Sequence, residues 1–204
     1  FSVLDREDIL NKIKSIKQSV KGELPNIYFL HGDFTDEEMN ELYNHPKVKV
    51  HISLTHGEGF GRPLLEATIS GKPVIAPNWS GHLDFLPKNL AILLGGSLQD
   101  VEPGSIPDNM RVEGSQWFTV NYQETSVVMK ELYKNYRKYS LNAKKLAIGN
   151  RAKFSLDSMT KKLGKILDKY VPEFPKEVKL DLPKLKKVGS TEQPKIKLPK
   201  LKKV

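Results

Sequence analysis

Glu58 and Glu66 stand at the two ends of the stretch EGFGRPLLE, with seven residues between them. A glycine-rich turn between a strand and a helix commonly holds phosphate, because the first amides of the helix lack partners and its dipole favours negative charge. Carboxylates, in contrast, are poor phosphate ligands and good acceptors for paired hydroxyl groups. The combination indicates a ligand in which phosphates are flanked by hydroxyl groups, as in a sugar nucleotide.

The better-known phosphate loops do not match this stretch. A Walker loop would need Ser or Thr after Lys72, where Pro73 stands. The dinucleotide fingerprint would need a third glycine where Arg62 or, in the alternative register, Leu64 stands. The two glutamates therefore become the more informative feature of the loop.

Hydrophobic periodicity predicts strands and helices in alternation, which favours a parallel sheet with right-handed crossovers. The fold class is therefore α/β, a Rossmann-like parallel sheet with flanking helices. Residues 97–117, rich in Pro, Gly and acid, are predicted as a long loop. The predicted elements are a helix between Asp5 and Gly22, a strand from Asn26 to Leu30, a helix with a capping box of Thr35 and Glu38, strands at 48–54, 73–77 and 90–94, a helix at 63–70, and helices at about 123–139, 141–152 and 156–170.

Composition and charge narrow the class of protein. The 204 residues include no cysteine, which excludes disulfides and zinc sites built on Cys, and no apolar run is long enough to cross a membrane. The net charge is +9, yet residues 172–204 hold ten Lys against four acids, so the remainder carries only +3. We therefore expect a cytoplasmic protein with no nucleic-acid partner.

The C-terminal segment contains two near copies, KLDLPKLKKV and KIKLPKLKKV, sixteen residues apart. Its prolines block a helix and its apolar content is too low for a core. We expect residues 1–171 to form a domain and residues 172–204 to form a disordered or extended basic tail. The alternatives for the tail are an anionic membrane surface, which would make the protein peripheral at a membrane, or docking on a protein partner.

A family resemblance rests on the order of several motifs. These are a strand leading to Gly32, the capped helix ending in ELY, the strand before EGFG, the spacing of Glu58 and Glu66, GKPVIA, and the turn SGH. In this order they resemble the donor-binding domain, the C-terminal half of a GT-B fold, of retaining glycosyltransferases of family 4. The resemblance covers about residues 1–170.

The resemblance implies roles for individual residues. Glu66 would accept hydrogen bonds from the ribose, and Glu58, the catalytic candidate, would lie at the transferred sugar. The segment from Gly32 to Phe34 would lie near the base, Arg62 would supply positive charge, and His82 would reach the sugar. The backbone amides implied to face the sugar and the phosphates are those of Gly59, Phe60, Gly61, Leu64 and Leu65.

The resemblance also implies the reaction and what surrounds it. A hexosyl group would pass from a nucleotide sugar to an acceptor with retention of configuration, without metal or other cofactor. The class of acceptor, whether glycan, lipid or protein, is left undecided. The Arg and Lys that hold the diphosphate in this family would precede Phe1, as would the acceptor-binding domain, so we expect the chain alone to be inactive. The alternatives are another GT-B enzyme, such as an epimerase or an inverting transferase, and a non-catalytic binding module.

Overall fold

Three short parallel strands form a sheet in the order β1-β2-β3. The structure is a computed structural model that describes residues 3–110 and 112–172. Ile75 of β2 pairs with Ile52 of β1 on one side and with Ile92 of β3 on the other. The strands of this sheet are β1 (His51–Ile52), β2 (Val74–Pro77) and β3 (Ile92–Leu94).

Six α-helices accompany the strands in the described residues. The capping box at the start of α2 is confirmed: the Thr35 amide donates to Glu38 Oε2 at 2.9 Å, and the Glu38 amide donates to Thr35 Oγ1 at 3.2 Å. Asp5 lies in the first turn of α1 instead of capping it. The helices are α1 (Val3–Ser19), α2 (Asp36–Asn44), α3 (Arg62–Ile69), α4 (Tyr122–Lys134), α5 (Tyr136–Lys153) and α6 (Leu156–Tyr170).

The central strand β2 shows why this sheet forms. All four of its residues, Val74 to Pro77, are buried, as expected for a strand covered on both faces. On one side of the sheet α3 lies between β2 and α5. The larger cluster of buried side chains consists of Tyr43, Leu64, Leu65, Ala67, Val74, Ala76, Phe85, Leu86 and Leu146, and a second contains Ile75, Leu94, Phe118, Val120 and Leu132.

The prediction of a strand from Asn26 to Leu30 is wrong: this segment is extended without strand pairing. Ile27, Tyr28 and Leu30 are exposed by 47%, 82% and 57%. A strand needs a neighbouring backbone to satisfy its amides and carbonyls. The apolar pattern is present, but no described strand pairs with this segment.

The predicted loop at 97–117 is also wrong, because it contains most of an antiparallel hairpin. Strands β4 (Gly96–Asp100) and β5 (Gln116–Val120) pair from Gly96 opposite Val120 to Asp100 opposite Gln116. The signal was the alternation in QWFTV, where Phe118 and Val120 are buried and their neighbours are more exposed. The Pro, Gly and acidic residues lie mostly in the connection between the two strands.

Helices α4 and α5 meet at Asn135, earlier than the predicted break near Leu141. The Asn121 side chain caps α4 by accepting hydrogen bonds from two amides of its first turn. Tyr139 Oη donates to Glu131 Oε1 at 2.6 Å, and this bond raises the pKa of Tyr139 to about 12. The tyrosine therefore stays protonated and links the two helices at neutral pH.

Two compact units divide the chain, one up to Lys162 and one from Leu163 onward. The boundary falls within α6, which has no buried residue. The predicted tail at 172–204 lies outside the described residues, apart from Pro172, and the boundary at residue 171 stays a prediction. No helix in the described residues is long and apolar enough to cross a membrane.

Long cationic side chains donate hydrogen bonds to carbonyls at the C-terminal ends of helices in the first unit. Lys72 Nζ donates to the carbonyl of His45, which follows α2, at 2.6 Å. Arg151 donates through Nε and Nη2 to the Ile69 carbonyl at the end of α3. These carbonyls lack partners within their own helices, so cations there satisfy them and complement the helix dipole.

Asn150 is a buried polar side chain on α5 that links α5 to the layer below it. Its Nδ2 donates to Thr68 Oγ1 at 2.9 Å and to the Phe85 carbonyl at 3.2 Å. Its side chain is almost fully buried. Replacing it therefore leaves buried partners without a donor.

We predict that Asn150→Ala lowers the free energy of unfolding by about 2–3 kcal/mol, since two buried hydrogen bonds are lost and the Phe85 carbonyl is left unpaired. Urea denaturation followed by circular dichroism measures this. The exposed Asn89→Ala is the control and should change stability by less than about 0.5 kcal/mol. Equal stability of the two variants would show that the bonds of Asn150 contribute nothing.

Candidate functional site

A glycine loop, residues 57–61, leads from the end of β1 into α3. Gly61 is the residue before the helix and has φ = 82°. A Cβ there would lie 3.2 Å from His82 Cβ and 3.3 Å from Leu64 Cδ1. Left-handed backbone and close packing together require glycine at this position.

The glycine loop is joined through its backbone to the turn that follows β2. The Glu58 amide donates to Ser80 Oγ at 3.2 Å, and Ser80 Oγ donates to the Glu58 carbonyl at 2.7 Å. That carbonyl also accepts from the Gly81 amide at 3.0 Å. A Cβ on Gly81 would lie 2.0 Å from the Gly59 carbonyl oxygen, so the two backbones touch where no side chain fits.

Ser80 holds an unusual backbone conformation in this contact. Its φ is 78° and its ψ is −168°, and it is the one non-glycine residue with positive φ among the described residues. This region is almost confined to glycine and costs on the order of 1–3 kcal/mol for other residues. The two hydrogen bonds of the Ser80 hydroxyl to Glu58 offset that cost.

The two predicted carboxylates lie on the loop and on the helix that follows it. Glu58 is half-buried with its backbone held by the turn, and no ion pair of its carboxylate is found within residues 3–110 and 112–172. Glu66 lies in α3, half-buried, with Oε1 at 3.1 Å from Arg62 Nε. Arg62 forms this contact from a largely exposed position, and its predicted role as a source of positive charge stays a prediction.

The charge of Glu66 acts on the pKa of the buried Tyr43 hydroxyl. Burial raises the pKa of the Tyr43 hydroxyl first, and the negative charge of Glu66 raises it further, while Arg62 acts in the opposite direction. The tyrosine ring also contacts the imidazole of His51 on β1.

The predicted phosphate-facing amides are partly used by the helix itself. The amides of Leu64 and Leu65 donate to the Gly61 carbonyl at 3.0 and 3.1 Å, and Pro63 has no amide hydrogen. A phosphate contact at Leu64 or Leu65 would have to share these hydrogen bonds. Their role, like that of the Gly59, Phe60 and Gly61 amides, stays a prediction.

His82 is placed differently from the prediction that it reaches a sugar. Its side chain has no exposed surface, and its Nε2 lies 2.7 Å from the Pro77 carbonyl. A carbonyl oxygen only accepts, so Nε2 carries the proton, and the buried Nδ1 has no partner among the described residues. A fully buried ring cannot line a crevice, so His82 supports the turn from beneath.

The remaining predicted residues are Gly32 and Phe34, which precede α2, and Phe60, which lies on the glycine loop. Phe34 is exposed in a shallow groove beside α2, and neither it nor Gly32 makes a hydrogen bond or ring contact with the glycine loop in the described residues. Phe60 is partly exposed, and its ring contacts Phe85 and Phe154. Phe60 therefore anchors the loop to the core through its side chain.

The hairpin β4–β5 adds aromatic contacts that the sequence analysis missed. The His56 ring stacks on Trp117 at 4.0 Å, and His56 Nδ1 lies 2.8 Å from the Phe118 carbonyl. Trp79, just before the strained Ser80, stacks on Phe118 at 5.6 Å. Because the hairpin was predicted as a loop, no sequence signal connected these aromatic residues with the site.

A family profile matches the part of the chain that contains the candidate site. The profile of the family described as Glycosyl transferases group 1 matches residues 11–91, about two fifths of the chain. This range includes the glycine loop, both glutamates and the turn at Ser80. Among curated proteins, no relative matches the sequence significantly.

Solved structures share the fold at low sequence identity. Two crystal structures of Anabaena Alr3699/HepE, one in complex with UDP and glucose and one with UDP-glucose, match with TM-scores of 0.52 and 0.51 at 15% and 16% identity. They cover 81% and 82% of this chain. The chain spans 38% of the length of each of these structures.

We predict that Ser80→Ala lowers stability by about 1–2 kcal/mol, since it loses both hydrogen bonds to Glu58 and keeps the strained φ. Ser80→Gly also loses the bonds but relieves the strain, so it should be less destabilised than the alanine variant. Urea denaturation compares the two, with the exposed Ser126→Ala as the control. Equal losses for alanine and glycine would contradict the strain argument.

Proposed function

We propose that this chain is the donor-binding part of a retaining glycosyltransferase, which moves a sugar from a nucleotide sugar to an acceptor. The observation that carries the proposal is the glycine loop at the carboxyl end of β1, with Glu58 on the loop and Glu66 on the helix behind it. The range that the family profile matches, residues 11–91, includes the loop and both glutamates. Ligands of open α/β sheets bind at that edge of the sheet.

Glu66 is assigned to the ribose. It lies in α3 five residues after Gly61, with its side chain half-buried and its backbone fixed by the helix. A carboxylate accepts hydrogen bonds from two neighbouring hydroxyls, as the ribose diol presents them. Arg62 orients the carboxylate through its 3.1 Å contact, leaving Oε2 outside that contact.

Glu58 is assigned to the transferred sugar. Its backbone is held by three hydrogen bonds to the turn, so its side chain starts from a fixed position at the sheet edge. A carboxylate held in place can orient sugar hydroxyls and stabilise positive charge that develops at the anomeric carbon. This makes Glu58 the catalytic residue of the proposal.

The bond changes follow from the donor chemistry. The bond between the anomeric carbon and the phosphate oxygen breaks, and the departing nucleoside diphosphate takes the electron pair. The acceptor hydroxyl forms its bond on the same face and passes its proton to the departing phosphate. The dipole at the start of α3 favours the negative charge of that phosphate.

Additional positive charge for the diphosphate would come from outside this chain. Arg62, the cation in the glycine loop stretch, is paired with Glu66. The proposal therefore has the chain bind a donor weakly and turn over only with the Arg and Lys that the resemblance places before Phe1. The acceptor class, whether glycan, lipid or protein, would likewise be set there.

We predict that Glu66→Ala weakens donor binding at least about tenfold, since hydrogen bonds to a charged group contribute about 1.5–3 kcal/mol. Glu58→Ala should change affinity less and instead lower kcat when the complete protein is assayed. Calorimetric titration with UDP-, GDP- and ADP-sugars measures the first effect, and steady-state kinetics measures the second. Glu7→Ala, an exposed residue on α1, is the control.

Wild-type binding and turnover in both glutamate variants would refute the assignment of the site. Donor binding without turnover by the complete protein would instead identify a non-catalytic binding module.

A further inference from the structure

Positive charge is concentrated in the C-terminal helices of the described chain. Residues 122–171 contain twelve Lys and Arg against four Asp and Glu, whereas residues 1–121 contain eleven against sixteen. The glycine loop and both functional glutamates belong to the acidic part. The excess of positive charge therefore lies outside the segment that carries the proposed donor site.

Helix α5 has six cations and no acidic residue. Two of the cations form hydrogen bonds to backbone carbonyls of other elements. Arg151 donates to the Ile69 carbonyl, and Lys153 donates to the Asp84 carbonyl at 3.0 Å. The other four are all exposed, and none takes part in an ion pair found among the described residues. They are Arg137, Lys138, Lys144 and Lys145.

These four cations share one face of α5. With 3.6 residues per turn, they fall within an arc of about 120°, and Leu141 and Ile148 fall between them. Leu141 is 54% exposed and Ile148 is 71% exposed. The buried residues of α5 lie on the opposite face and pack towards α3; they are Ala143, Leu146, Ala147 and Asn150.

We propose that this α5 basic face, made of Arg137, Lys138, Leu141, Lys144, Lys145 and Ile148, docks on an anionic phospholipid surface. Basic residues near such a surface each contribute about 1 kcal/mol, and long cationic side chains keep their charge at the headgroups while their stems cover apolar surface. Leu141 and Ile148 stand where a helix lying on a bilayer places its apolar side chains.

The mixed character of the face decides between possible partners. A nucleic acid would be held by the cations through its phosphates and would gain little from two exposed aliphatic side chains. A bilayer binds both the cations and the aliphatic side chains, since the cations attract the anionic headgroups and the apolar side chains enter the boundary beneath them. The face stays rigid while it docks because the other side of α5 packs on the core. This proposal does not depend on the proposed function.

The test measures binding of the full chain to vesicles of phosphatidylcholine alone and of phosphatidylcholine mixed with phosphatidylserine. The charge variant carries Arg137→Gln, Lys138→Gln, Lys144→Gln and Lys145→Gln. The apolar variant carries Leu141→Gln and Ile148→Gln. A matched control with the same net charge as the charge variant carries Lys12→Gln, Lys14→Gln, Lys17→Gln and Lys21→Gln, all exposed on α1 or just after it.

The wild-type chain should bind the phosphatidylserine vesicles and not phosphatidylcholine alone. The charge variant should bind at least about tenfold more weakly, and the apolar variant about tenfold more weakly at unchanged charge. The α1 control should stay within about twofold of wild type, since its lysines lie on a different helix. Circular dichroism and thermal unfolding check that every variant folds.

Several results would overturn the proposal. One is absence of wild-type binding to the vesicles. Another is an equal loss of vesicle binding in the charge variant and the α1 control, which would show that binding depends on net charge alone. A third is unchanged binding of the apolar variant together with displacement by duplex DNA, which would identify a nucleic-acid face. A fourth is loss of binding only when Lys184, Lys186, Lys200 and Lys202 are changed to Gln, which would assign the lipid contact to the tail.

Discussion

The close approach of two backbone segments, Glu58–Gly59 and Ser80–Gly81, is the constraint on which the site depends. A Cβ on Gly81 would lie 2.0 Å from the Gly59 carbonyl oxygen, so this contact exists only because residue 81 is glycine. Three hydrogen bonds then join the Glu58 backbone to the turn. The loop after β1 and the turn after β2 thereby become one rigid edge, and Glu58 extends from it.

The rest of the first unit holds this edge in place. His82 beneath the turn is tied to the end of β2, and the ring of Phe60 packs against Phe85 in the core. Asn150 and Arg151 connect α5 to α3, which carries Glu66. Helix α5 thus has one face that packs towards α3 and another whose cationic and aliphatic side chains are exposed.

Sequence patterns were informative where a local rule decides the structure. The capping box of Thr35 and Glu38 depends on residues three apart, and the burial of β2 follows from its unbroken apolar run. The position of Glu58 on a loop and Glu66 on the following helix came from the same kind of local reading. The expected α/β fold with a parallel sheet agrees with the structure and with its solved neighbours.

Prediction failed where distant parts of the chain decide the outcome. The segment from Asn26 to Leu30 has a strand pattern but no neighbour to pair with, whereas QWFTV pairs because β4 lies opposite to it. The left-handed backbone of Ser80 depends on hydrogen bonds to Glu58, 22 residues earlier. His82 looked available in the turn, yet it is buried by packing that no local pattern reveals.

The most direct test of the donor site is a titration of the isotope-labelled chain with UDP-glucose, followed by amide chemical shifts. The account predicts saturable shifts at residues 58–66 and 80–82, with little change in α1 and on the exposed face of α5. Shifts confined to other regions, or none up to millimolar donor, would contradict the claim that the joined loop and turn form a nucleotide-sugar site.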